Sequence, residues 1–564
     1  MYNTSQAYDH YYLYKEIEDI LRQYAQSFPQ LCRLSSIGES GEGRPIWLLE
    51  VTDTRTGQYE DKPAYFVEGN IHAGEVTGSM CVMYFLDLLF TNHTDLQISS
   101  LLENYTVYAL PRVSPDGSEH YLTTPDYVRS VNRAYPYPDP MPGLVPQDLD
   151  GDGVIRRMRV RSPFGTWKVS PRDPRLMTLR RPDDREGVFY NVYEEGWIRD
   201  YDGLHIPAAP RPFGHDFNRN YPVGWQNEHL QRGAGSYPLC NPETKANADF
   251  LLAHPNVCSV LDMHTMGGQI LYTPGCKSAK EACREDIALY KAIGAMAHEE
   301  SGYPVLNVHD DYMPAGAPPT YGGFDDFCHF CLGIPAITIE CWDLLQRAGI
   351  EMQYPSPAEF PPEQEEEEAY RILKWIDENL PENGFQPWTP YRHTQLGDVE
   401  IGGIDYKYVI QNPPLPFLLQ ELQKHGRFML RQLRTLPQVQ FLSAEVQPLA
   451  GGLYRVRAIV ANTGYLPTYI FREGLKLKSL KELTVTLEAP DCAFIEGKPS
   501  VKIGHLQGYS GIETNYALQG PISEEEEPCS KEVTWIIKGA PGSRLTLQCE
   551  GAHIGKTQCS CTLS

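Results

Sequence analysis

The stretch Ala64 to Ser79, AYFVEGNIHAGEVTGS, decides how the rest of this chain is read. Its apolar, β-favouring start (Tyr65, Phe66, Val67) breaks at Gly69-Asn70, and the buried-helix pattern Met80 to Phe90 follows. That succession describes a strand, a tight turn and the first turn of a helix. His72 and Glu75 stand three residues apart, a spacing that puts both on one face of a helical turn. An imidazole and a carboxylate can therefore converge on one cation at a strand's C-terminal end. Zinc accepts both ligand types and needs at least one more from the protein. Taken alone, the pair reads more readily as a satisfied histidine and a surface acid, so the remaining parts of a site must occur downstream.

Working outward, Leu13, Ile17, Ile20, Leu21, Tyr24 and Phe28 recur at helical spacing and stop at Pro29. Strands are expected at Ile46 to Val51 and Tyr105 to Leu110, the latter running into a turn at Pro115-Asp116-Gly117. Farther along, the apolar run Val257 to Met263 ends at His264, and the strand Ala336 to Glu340 ends in an acid. In open α/β sheets that edge is where ligands bind. Between them, Gly214-His215-Asp216-Phe217-Asn218-Arg219-Asn220 places an Asn-Arg pair in a loop, where a planar guanidinium fork suits a carboxylate. A core-edge His264, a salt-bridged Arg219 and a capping Glu340 are the bland readings, and the joint occurrence of such residues at three strand ends and one loop strains all of them at once.

The segment 135–212 is rich in Pro, Asp, Arg and Gly and too long for a simple loop, so an ordered insertion is expected there. Inside it Asp148, Asp150 and Asp152, with Gly153 at the sixth position, match the start of a calcium loop, although position twelve is Arg159 instead of the bidentate Glu. Calcium completed by distant oxygens is one reading and an acidic solvated turn the other. Helices are expected at Ile287 to Ala297 and Glu363 to Leu380. Beyond Pro381 the chain reads as a linker (Asn383-Gly384, Pro387 to Pro390), a helix Phe417 to Leu433, and alternating strands that describe a small β-sandwich. The expected organisation is a catalytic α/β unit over 1–380, a mixed twisted sheet flanked by helices, followed by 381–564.

Bulk composition narrows the class. At 564 residues the chain exceeds one hydrophobic core. A net charge of −24 argues against nucleic acid and anionic membranes as partners. No apolar run is long enough to span a bilayer. Met1 to Lys15 lacks a basic start and an apolar core, so a cytoplasmic location is expected, or a secreted one if the N-terminus is clipped. The 14 cysteines are then expected as reduced thiols, with Cys328 and Cys331 as packing residues.

The order H-x-x-E, Asn-Arg, His, Glu, with the motifs HAGE, SPDG, DFNRNYP, MHTMGGQILYTPG and GGFDDF through ITIE, resembles the zinc carboxypeptidase family over residues 1 to about 380. The resemblance implies one zinc held by His72, Glu75 and His264 with one position left to water, Glu340 as general base, and Asn218 and Arg219 gripping a substrate's terminal carboxylate. It also implies a carbonyl-polarising arginine, expected at Arg159 with Arg157 and Arg133 behind it, and a mobile tyrosine. The ungapped position of that tyrosine is Pro318, which leaves Tyr321 or Tyr312 to substitute. Asp325 falls at the base of the family's specificity pocket, implying preference for a basic terminal residue. The expected activity is removal of C-terminal residues from peptides with a free carboxylate. A zinc amidase or cell-wall peptide hydrolase, and a non-catalytic peptide- or glycan-binding protein, are the alternatives.

Overall fold

A computed structural model describes residues 3–357, 360–511 and 528–564. Its core is an eight-stranded mixed sheet whose central strands, Ala64–Gly69 and Val257–Thr265, are buried along their whole length. Burial on both faces explains why these segments read as continuous apolar runs instead of alternating ones. Across the sheet the order is Cys32–Glu39, Pro45–Val51, Thr106–Leu110, Ala64–Gly69, Val257–Thr265, Ala336–Cys341, Gln269–Tyr272, Val305–Asn307. The four strands from Thr106–Leu110 to Ala336–Cys341 run parallel, which brings their C-terminal ends to one edge. The register there sets Gly69 beside Met263 and His264 beside Glu340.

The helix after the first central strand is Val76–Thr91, with Glu75 at its cap position, so His72 and Glu75 sit on the turn just ahead of the first helical residue. Asn70 holds that turn with φ 65°, a left-handed conformation Asn tolerates. Its amide donates to the carbonyls of His72 (2.6 Å) and Ala73 (3.1 Å), and its Oδ1 accepts from Ser79 (3.0 Å) and Ser118 (2.7 Å). Gly78 lets the helix lie against the sheet, since a Cβ there would stand 2.3 Å from the Met263 carbonyl oxygen. Among the described residues no helix is long and apolar enough to cross a membrane.

Two expectations are corrected. Pro115-Asp116-Gly117 does not stay a turn but opens the helix Pro115–Thr123, with proline at a helix start where its missing N–H costs nothing. The stretch expected to be a linker is structured: Phe385–His393 and Gly397–Ile404 form a hairpin that joins the insertion's strands Arg157–Arg161, Phe189–Glu194, Trp167–Val169 and Met177–Leu179 in a six-stranded sheet. The following helix, Leu415–Leu433, packs beside Val76–Thr91 and Arg284–Ser301. There Gln432 accepts from Tyr65 OH (3.1 Å) and donates to Ser259 Oγ (2.9 Å), tying it to the central sheet.

The remainder is two four-stranded antiparallel sheets facing each other over Val456, Val485, Trp535 and Leu547. This β-sandwich docks on the catalytic unit. Asp286 accepts the backbone N–H groups of Arg472 (2.7 Å) and Glu473 (3.0 Å), and the Phe471 ring meets those of Tyr290 (4.9 Å) and His329 (5.4 Å). All 14 cysteines are free thiols.

Candidate active site

His72 comes from the turn after one central strand, Glu75 from the helix cap behind it, and His264 from the end of the neighbouring strand. Their ligand atoms lie within 4.8 Å of one another, and all three residues are buried. His72 Nδ1 approaches Glu75 Oε1 at 2.9 Å and His264 Nδ1 approaches Glu75 Oε2 at 2.8 Å. The other ring nitrogens face acids, His72 Nε2 at 3.1 Å from Asp216 Oδ1 and His264 Nε2 at 2.7 Å from Asp262 Oδ2. A neutral imidazole that donates through Nε2 leaves Nδ1 with only a lone pair. Two such lone pairs aimed at one carboxylate repel unless a cation stands among them. The acids behind the rings are the usual partners of metal-bound histidines, and one carboxylate plus two imidazoles is a zinc donor set with a position to spare. The residues fit the ion.

Around this cluster Arg129, Asn218, Arg219, Tyr312, Asp325 and Glu340 line one cavity of about 110 Å³ with His72 and His264. Arg129 reaches Glu75 Oε1 (3.2 Å) and Asp216 Oδ2 (3.1 Å). Asn218 Oδ1 accepts from the Phe324 N–H (2.8 Å), which fixes the amide so that its NH₂ faces the other way. Arg219 Nη1 donates to the Asn218 carbonyl (2.5 Å). Burial pushes the Glu340 carboxyl up to about 8, with His264 pulling it back. Asp325 is raised to about 7 by burial and by Asp262; its Oδ2 accepts from Thr338 (2.9 Å), and its buried Oδ1 has no hydrogen-bond partner.

Of the residues named from sequence, the structure brings together His72, Glu75, His264, Glu340, Asn218, Arg219 and Asp325. It places Arg159 elsewhere. That guanidinium sits in the insertion sheet between the Tyr190 (4.8 Å) and Trp388 (4.5 Å) rings and pairs with Glu400 at 2.8 Å, so Arg129 takes the position beside the ligands. Arg133 pairs with Glu243 instead (2.8 Å). Tyr321 packs against the Gly224 loop, and Tyr312 is the tyrosine that lines the cavity; the charge of Glu340, then burial, holds its phenol proton on. Arg129 carried a faint signal, a lone cation between the apolar Val128 and Val131. Asp216 and Asp262 carried one too, each standing in a motif already singled out.

The calcium expectation finds no support. Asp148 accepts the Gly151 and Gly153 N–H groups (2.8 and 2.9 Å), Asp150 accepts from Asp152 N (3.3 Å), and Asp152 turns to Val154 N (2.9 Å) and Arg156 (3.0 Å). Glu195, whose oxygens approach Asp148 and Asp150, already takes the N–H groups of Leu149, Asp150 and Arg156. The loop closes on itself as a hydrogen-bonded acidic turn.

The chain is similar to human carboxypeptidase D, with 30% identity over 111 residues, 20% of this chain and 8% of that protein. It is also similar to a zinc carboxypeptidase of Saccharothrix mutabilis subsp. capreolus, with 33% identity over 121 residues, 21% of this chain and 27% of that one. The matched stretches thus span well under two thirds of these relatives. Among solved structures, carboxypeptidase A from Helicoverpa armigera aligns over 66% of this chain and 75% of its own, at 19% identity and a TM-score of 0.40. A profile described as a domain of unknown function matches residues 438–562, the sandwich. The zinc carboxypeptidase profile matches residues 17–369, a span that holds every ligand and pocket residue above, and the chain belongs to the zinc carboxypeptidase family.

Proposed function

We propose that this protein removes C-terminal residues from peptides, with a preference for a basic last residue. The observation that carries the reading is the meeting of His72, Glu75 and His264 within 4.8 Å beside a cavity that also holds Glu340, Arg129 and Arg219. Bound among the three ligands, zinc would supply a Lewis acid and lower the pKa of water at its open position to about 7. Asn218 and Arg219 hold the terminal carboxylate, the guanidinium as a fork and the amide as an added donor. Glu340, which lines the cavity beside the ligands, accepts the proton of the attacking water and delivers it to the leaving amine. Arg129 offers its positive charge to the oxygen that becomes anionic as the carbonyl is attacked. Asp325 presents an unpartnered carboxylate oxygen to the end of a long cationic side chain.

Metal analysis of the purified protein should find one zinc per chain, removable by chelator together with activity. Glu340→Gln should keep the zinc and lose at least about 10²-fold in kcat/KM. Near-normal turnover by that variant refutes the base assignment, and a metal-free active preparation refutes the reading as a whole.

A further inference from the structure

The helix behind the metal ligands begins without a cap of its own. Glu75 stands at the cap position of Val76–Thr91, where a side-chain oxygen ordinarily accepts the N–H of the second or third helical residue. Its carboxylate is turned the other way, with Oε1 toward His72 and Arg129 and Oε2 toward His264 and the Thr265 N–H (3.2 Å). A carboxylate given to a metal cannot also close its own helix.

The missing acceptor comes from Asn412, 335 residues past Thr77. Asn412 Oδ1 takes the N–H of Thr77, the second helical residue, at 3.1 Å and the Thr77 hydroxyl at 2.9 Å. Nδ2 of the same amide donates to the Gly74 carbonyl at 2.8 Å. One side chain thus grips the backbone immediately before Glu75 and two residues after it. Asn412 and Thr77 are fully buried, and neither lines the catalytic cavity.

Asn412 is fixed in turn. Its backbone N–H (3.0 Å) and its Nδ2 (3.1 Å) both reach the Lys407 carbonyl. Lys407 Nζ is anchored on the Tyr121 and Thr124 carbonyls, both at 2.7 Å, and Gln411 Oε1 accepts from Tyr121 OH (3.0 Å). On the other side the Tyr11 hydroxyl donates to the Pro413 carbonyl (2.6 Å). Gly74 makes the close approach possible, since a Cβ there would stand 2.9 Å from Gln411 Nε2. Removing the Asn412 amide would take from two buried backbone groups the partner it gives them, and the turn would have to shift to satisfy them.

We infer that Asn412 is a positioning residue for Glu75. From a segment past residue 369, where the family profile ends, it sets the turn on which the carboxylate meets His72 and His264. The inference rests on the carboxypeptidase reading for its rates and on the three ligands alone for its zinc affinity. Residues 405–412 then belong to the catalytic unit and are no mere spacer before the sandwich.

The test measures zinc affinity of the full chain, by competition with a chromophoric chelator, for Asn412→Ala, Asn412→Asp and Gln432→Ala. Asn412→Ala should weaken zinc binding about 10- to 100-fold, the range for groups that orient metal ligands. Asn412→Asp keeps the acceptor for Thr77 and loses the donor to Gly74, so its affinity should fall by less, yet by at least about threefold. Gln432→Ala removes buried hydrogen bonds to Tyr65 and Ser259 and should lower stability with zinc affinity unchanged. With zinc saturating, Asn412→Ala should lose kcat and keep KM, because the amide touches no substrate. Wild-type affinity in both Asn412 variants, or a loss in Gln432→Ala as large as theirs, overturns the assignment; should the alanine variant not fold, the aspartate variant decides alone. A wild type that binds zinc and cleaves no peptide overturns the carboxypeptidase reading and leaves the affinity comparison intact.

Discussion

Both histidines of the site turn one nitrogen toward Glu75 and give the other to an acid, and the acids differ in what else they do. Asp216 is shared between His72 and Arg129, whereas Asp262 is buried behind His264 with its Oδ1 unpartnered. Asp262 therefore serves His264 alone, orienting the ring and raising its basicity. Asp262→Asn should lower zinc affinity about 10- to 100-fold while the fold persists, a change read by competition with a chromophoric chelator; unaltered affinity would remove the orienting role. Asp325 stands at the same scale. A lysine ammonium reaching its free Oδ1 would restore charge to a carboxyl that burial holds near 7. Peptides ending in Lys should outrun those ending in Phe, and Asp325→Asn should cut the Lys/Phe ratio of kcat/KM by about tenfold or more. Equal or reversed wild-type rates end the basic preference.

Among the elements, the hairpin Phe385–Ile404 does the most unexpected work, because it closes a sheet whose other strands all lie between residues 157 and 194. Arg159 is its fastener, stacked between Tyr190 and Trp388 and paired to Glu400. Each cation–aromatic contact is worth about 0.5–1 kcal/mol in part-exposed settings. Arg159→Ala should therefore lower the urea midpoint by the equivalent of about 1–3 kcal/mol, with bound zinc unchanged. A variant of full stability that is catalytically dead would return Arg159 to the active site.

At the scale of the molecule, the sandwich is held to the catalytic unit by contacts that include two buried histidines. Burial pushes His329 down to about 3 and His553 down to about 4. Below pH 6.5 the unfolded chain protonates both while the folded one resists, so the stability they contribute is present above pH 6.5 and is lost as pH falls toward 4. Asp286, raised to about 6 by burial, works the opposite way between pH 6 and 4, as do the raised carboxyls of Asp325 and Glu340. Each displaced pKa unit carries about 1.4 kcal/mol. The histidine contribution is therefore read by difference: between pH 7 and pH 4.5 the melting temperature of the wild type should fall relative to that of His553→Gln. Parallel pH dependences of the two proteins would contradict this account of the interface.

His72, Glu75, His264 and Glu340 were legible because each ends or follows an apolar run whose length and composition already specify a buried strand. Asn218 and Arg219 were legible as an adjacent polar pair. For these residues the sequence by itself determined that strand ends and chemistry coincide, since local burial patterns are written in contiguous residues. Arg129 was not legible. Its place is fixed by a single hydrogen bond from Ala73 N to its carbonyl (2.7 Å) and by acids 54 and 87 residues away. The hairpin that replaced a linker was hidden for the same reason: its strand Gly397–Ile404 pairs with Arg157–Arg161 of the insertion. Tertiary structure alone decided which arginine faces the metal ligands and which tyrosine lines the cavity, because each depends on contacts between segments whose sequences carry no record of one another.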